Sequence, residues 1–80
     1  MDYSKMTISD IAEDIMFDWA KPNPAARPYL HAMLSIENIE DRYFADSASS
    51  VVAYFLGNAR TWRGPIAKAI KVELNKRLKS

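Results

Sequence analysis

Catalysis needs side chains that move protons, attack a substrate or hold a metal, and this chain offers few of them. His31 is its one histidine, and it has no cysteine. A structural or catalytic zinc site draws its ligands from several Cys, His or acidic side chains, so no Cys/His site of that kind can be built here. Asp10, Glu13 and Asp14 fall at helical spacing, and paired carboxylates can do acid–base work. Without a companion motif they read more simply as a solvated helix face. Glu37, Asp41 and Asp46 lack the ligand spacing and central glycine of a calcium loop. Two glycines in the whole chain rule out a glycine-rich phosphate cradle. Ser47, Ser49 and Ser50 sit where a helix begins and read as capping residues. The expectation is a chain that is not an enzyme and takes no cofactor or metal.

Residues suited to recognition are better represented. Arg60-Thr61-Trp62-Arg63 combines the two residue types most enriched at binding hot spots. The competing reading makes Trp62 a plug between two helices, with Arg63 paired to the acidic first helix. Charge is strongly divided along the chain. Residues 1–46 hold nine acidic and four basic groups, a balance of −5, whereas residues 60–80 hold seven basic groups against Glu73, a balance of +6. Two candidate surfaces follow. One is acidic, built from Asp10, Glu13, Asp14 and Asp18 on the first helix, with Glu37, Glu40 and Asp41 later. The other is basic, built from Arg60, Arg63, Lys68, Lys71 and Lys76, and suited to phosphates. The two could also fold against each other and cancel. Ala53 and Gly57 stand four apart before a turn and a helix, a partial echo of a helix-turn-helix. Asn58 and Arg63 occupy places where that motif wants apolar side chains, and its turn would have to hold Gly64-Pro65.

The elements that position these residues are helical. Thr7 and Asp10 form a possible capping box, with Ser9 as a rival cap. Ile8, Ile11, Ile15 and Trp19 then make one stripe, widened by Ala12 and Met16. Lys21-Pro22 closes that first helix, since the residue before proline avoids the α region. A second helix spans about 28–37, with Pro28 near its start and Tyr29, Leu30, Met33, Leu34 and Ile36 as buried candidates. Residues 38–46 read as a loop with one or two helical turns, Ile39 and Tyr43 facing inward. Asp46 or Ser47 caps a third helix over about 47–59, where Ala48, Val51, Val52, Phe55, Leu56 and Ala59 repeat at helical spacing. It carries no charge, which suits a central helix covered on several sides. The fourth helix spans about 65–79 on Ile66, Ile70, Leu74 and Leu78, supported by Ala67. No alternating strand pattern is present. The expected fold class is all-α, a compact bundle of about four short helices forming one domain over residues 1–80.

Eighty residues bury only about 60–65% of the surface that the unfolded chain exposes, so stability has little margin. Without disulfides the chain depends on its core, which 49% apolar residues can supply, or on a partner such as a second copy in a homodimer. The longest apolar run is the six residues Val51–Leu56, far short of the ~20 that span a bilayer. The N-terminal residues do not resemble a signal peptide. No membrane association is expected, and a cytoplasmic location fits the absence of cysteine.

Several segments resemble small uncharacterised proteins encoded by bacteriophages and prophages. They are Asp46-Ser47, S-V-V-A-Y-F-L-G-N-A (Ser50 to Ala59), T-W-R-G (Thr61 to Gly64) and I-K-V-E-L-N (Ile70 to Asn75), with A-R-P-Y-L-H-A-M (Ala26 to Met33) upstream. The resemblance covers roughly residues 25–78, and Phe44 and Pro65 depart from it. It brings no catalytic motif. It implies a stoichiometric binding role in a bacterial host cytoplasm, directed at a host protein or a defence complex such as a CRISPR assembly. An inhibitor of that kind can imitate nucleic-acid phosphates with an acidic face, for which Asp10, Glu13, Asp14 and Asp18 are the candidates. The alternatives are a nucleic-acid-binding accessory factor using the basic C-terminal helix, and a structural subunit of a larger assembly.

Overall fold

A computed structural model of the chain describes residues 2–43 and 46–79, with Tyr43 described by its backbone alone. Four helices carry an all-α bundle: α1 (Ile8–Asp18), α2 (Arg27–Met33), α3 (Ala48–Gly57) and α4 (Pro65–Lys79). A 3-10 turn over Tyr3–Lys5, which the spacing of apolar residues does not reveal, precedes them.

Helix α1 begins where the hydroxyl of Thr7 accepts the Asp10 N–H at 3.1 Å. The carboxylate half of the expected capping box does not form. Instead the first free amide of the helix, Ile8 N–H, donates to the Glu37 carbonyl at 2.8 Å, which ties α1 to the segment after α2. The helix stops at Asp18, two residues short of the expected end near 20. Trp19 leaves helical backbone geometry while its N–H still reaches Ile15 O at 2.7 Å. That departure turns the indole onto Phe55 and Trp62.

Helix α2 is also shorter than the expected 28–37. Past Met33 the chain tightens into bonds three residues long: Leu34 to His31, Ser35 to Ala32 and Ile36 to Met33. The tighter turn buries Ile36 and delivers the Glu37 carbonyl to α1. Residues 38–41 make one turn of the expected kind, Asp41 N–H donating to the Asn38 carbonyl at 3.0 Å, but the segment does more than that. The Asp41 carboxylate accepts the Glu37 and Asn38 amides at 3.2 and 3.0 Å, a local bond that competes with helix. A two-residue antiparallel ladder follows, β1 (Arg42–Tyr43) against β2 (Asp46–Ser47), with Arg42 opposite Ser47. Ile39 packs half-buried on the core. The Tyr43 side chain and Phe44 lie outside the described residues.

Ser47 caps α3, its hydroxyl accepting the Ser50 N–H at 3.1 Å, and Asn58 closes it by donating to Tyr54 O at 2.8 Å. Ala48, Val51, Val52 and Phe55 are buried, but Ala53, Tyr54 and Gly57 are exposed. The charge-free helix is therefore covered on one side and open on the other. The exposed Tyr54 ring is partly sheltered by Tyr29, 5.4 Å away.

In α4 the buried line is Ala67, Ile70 and Leu74. Ile66, expected on that line, is 42% exposed. Steps of four residues advance ~400°, so a line of strict four-residue steps drifts ~40° per step around the helix. Ala67 lies nearer the Ile70–Leu74 direction and takes the inward place. Met16 on α1 is likewise 42% exposed rather than part of the inward stripe. One continuous core results, from Ile8 through Phe55 to Leu74.

Candidate functional site

The corner between α1, α3 and α4 is built from three aromatic side chains. Trp19 and Trp62 stack with centroids 5.8 Å apart and planes within 10°. Phe55 meets both edge-on, at 6.4 and 6.3 Å. Such offset and edge contacts are the favoured geometries of aromatic quadrupoles. Trp62 is 2% exposed, and its indole N–H donates to Asp18 Oδ2 at 2.8 Å. Its expected role as an exposed anchor is thereby corrected: the ring is too well covered by Trp19 and Phe55 to engage a partner, and it acts as the plug between helices. The expected pairing of Arg63 with α1 does not form among the described residues.

Lys71 sits on the other face of this corner. Its ammonium lies 5.7 Å from the Trp62 ring centroid and donates to the Trp62 carbonyl at 2.6 Å. Burial, and then the neighbouring Arg63 charge, hold the Lys71 ammonium below the usual lysine range. Beside it runs a hollow of about 880 Å³, lying along α4 and the Trp62–Gly64 turn. Arg63, Lys68, Lys71, Lys76 and Lys79 surround it, Val72 stands in it 62% exposed, and no carboxylate among the described residues lines it. Lys68, Asn75, Lys76 and Lys79 share the face because they are seven, eight and eleven residues apart, whereas Glu73 turns away to Arg77.

Of the expected basic set, Arg63, Lys68, Lys71 and Lys76 gather in this groove, and Arg60, exposed in the turn after α3, does not line it. Of the acidic set, Asp10 and Glu13 are exposed, Asp14 is half-buried and Asp18 is bonded to Trp62. Asp10, Glu13 and Asp14 make no ion pair with the α4 lysines among the described residues, so the two charge groups do not cancel by contact. Tyr3 lies near Asp14 and Asp18; burial first, then those carboxylates, raise its phenol above the usual range. His31 is exposed on α2. Glu37, Asp41 and Asp46 do not converge, and the Asp41 carboxylate is committed to backbone amides. Among the described residues no three His, Asp or Glu side chains converge as metal ligands. None of the described helices is long and apolar enough to cross a membrane.

Two surface residues went unnoticed in the sequence. Phe17 is 92% exposed, and with Asp14, Asp18, Tyr3 and Ile66 it borders a hollow of about 170 Å³. Val72 is its counterpart in the groove. The signal was present: Phe17 lies three and four residues after Asp14 and Glu13, on their face of the helix, and Val72 lies four after Lys68.

Comparison with known protein families, curated proteins and solved structures gives no match.

Proposed function

We propose that this chain is a small accessory protein that acts by stoichiometric protein–protein binding, and that the α4 groove is its binding surface. One observation carries the reading: five cationic side chains surround an exposed valine in a groove that no carboxylate of the described residues lines. A groove of this make suits an acidic protein segment with an apolar side chain at its centre, laid down as a helix is laid into a hydrophobic groove. Matching charge speeds capture, and the apolar contact slows release. The resemblance to phage proteins makes a bacterial host or defence complex the expected source of that segment, with inhibition as the expected outcome and the host cytoplasm as the place. The reading assigns no catalytic residue.

The test is capture of partners from bacterial lysate on the tagged chain, with and without nuclease, beside the Lys68→Glu/Lys76→Glu variant. A protein that survives nuclease, is lost with the variant, and titrates one-to-one when purified supports the reading. A partner retained by the variant would refute the groove, and turnover of a substrate by the chain alone would refute the non-catalytic role.

Nucleic acid is the second reading, favoured by the same run of unopposed cations. The burial of Trp62 counts against it for single strands, because no ring in the groove is free to stack on a base. Recovery that disappears after nuclease and weakens steeply with salt would put this reading first.

A further inference from the structure

The chain itself carries a segment of the chemistry that the groove suits. Asp10, Glu13, Asp14 and Phe17 follow the spacing of one helical stripe, and they lie on the outer side of α1, opposite the buried Ile8, Ile11 and Ile15. Phe17 is the most exposed large apolar side chain among the described residues. An exposed phenylalanine beside carboxylates that α4 does not pair is half of an interface, and the Val72 groove with its unopposed lysines is the complementary half.

We infer that the Phe17 face of α1 docks into the Val72 groove of a second copy, so that the protein self-associates head to tail. The inference rests on the groove being a binding surface. Spacing supports the match. Glu13 and Asp14 lie one helical turn, ~6 Å, from Phe17, and Lys68 and Lys76 lie the same ~6 Å on either side of Val72. Placing Phe17 over Val72 therefore sets carboxylates against ammonium groups whichever way the incoming helix runs. The two faces are different patches of one molecule, so the contact is heterologous. Unless the rotation between copies closes a ring, each docked copy leaves a free acidic face at one end and a free groove at the other, and the association is open. It draws on charge at long range, so salt weakens it.

Sedimentation velocity over rising concentration, at low and high salt, tests this with two variants. Phe17→Ser removes the face and keeps the groove; Lys68→Glu/Lys76→Glu reverses the groove and keeps the face. Circular dichroism confirms that both fold, which their exposed positions favour. The unchanged chain should form species larger than a dimer at low salt and shift toward monomer at high salt. Each variant alone should associate at least tenfold more weakly than the unchanged chain. Mixed in equal amounts, they should form a dimer that grows no further, because one intact face meets one intact groove. A monomeric unchanged chain at every concentration, variants that self-associate as strongly as the unchanged chain, or an inert mixture would overturn the inference. If the groove still captures a protein partner while the unchanged chain stays monomeric, self-docking alone is refuted. If partner capture also ignores the groove variant, the groove itself fails as a binding surface.

Discussion

The indole N–H of Trp62 donates to Asp18 Oδ2 across 2.8 Å, joining residues 44 positions apart in the chain. This bond fixes the last residue of α1 to the turn before α4, and it satisfies the one polar atom of a ring that is otherwise enclosed by Trp19 and Phe55. Asp18 itself stays exposed, so one carboxylate serves both this bond and the acidic surface.

Asp18→Ala should leave that indole N–H without its partner and destabilise the fold by about 1–2 kcal/mol, the penalty of an unpaired donor. For a chain of this size that corresponds to a fall in Tm of roughly 4–8 °C for each kcal/mol. Asp18→Asn keeps a carbonyl acceptor and should recover most of the loss. Thermal unfolding by circular dichroism measures both, and equal losses for the two variants would show that the bond contributes little.

Arg77 holds the N-terminal turn. Its guanidinium donates to the carbonyls of Tyr3 and Met6 at 2.7 and 2.6 Å and pairs with Glu73 at 2.7 Å. Arg77→Ala should cost about 1–3 kcal/mol, in the range of hydrogen bonds to charged groups. Amide exchange of residues 3–6 should accelerate more than that of α3. Lys at this position is a point charge without the fork that reaches two carbonyls and a carboxylate, so Arg77→Lys should restore only part of the protection.

Gly64 has φ +116°, a backbone region that side-chain-bearing residues rarely adopt. A Cβ there would meet nothing within 4 Å. The cost of Gly64→Ala is therefore one of backbone conformation, about 1–3 kcal/mol. Chemical denaturation should show a lower midpoint with an unchanged slope, because the surface exposed on unfolding is the same.

Lys71 should titrate below an ordinary lysine in the folded chain, since burial and then Arg63 both disfavour its charged form. Between the lowered folded value and the ordinary one, the unfolded chain binds more protons, so this group's contribution to stability improves as pH rises through that window. Below the window its penalty is present in full. Removing the second cause with Arg63→Gln should move the Lys71 titration back upward, as read by side-chain NMR. A titration that stays in place would show that burial alone sets it.

Much of the fold was determined by the sequence itself. Thr7 and Ser47 announce α1 and α3 because each hydroxyl caps an amide three residues on, a purely local bond. The stripes Ile8–Ile11–Ile15 and Ala48–Val51–Val52–Phe55 fix which faces are buried, since helical periodicity is also local. The division of charge between α1 and α4 is legible for the same reason. Tertiary structure decided everything that depends on a distant partner. Trp62 could be read as an anchor or a plug until Trp19, Phe55 and Asp18 were placed around it. The tail of α2 tightened because Ile36 had a core to enter and Glu37 an amide to meet. Ile66 turned outward because Ala67, Ile70 and Leu74 together point more nearly at one core than a strict four-residue line does. The groove itself exists only because the turn at Gly64 sets Arg63 beside the lysines of α4, a juxtaposition that spacing along one helix cannot specify.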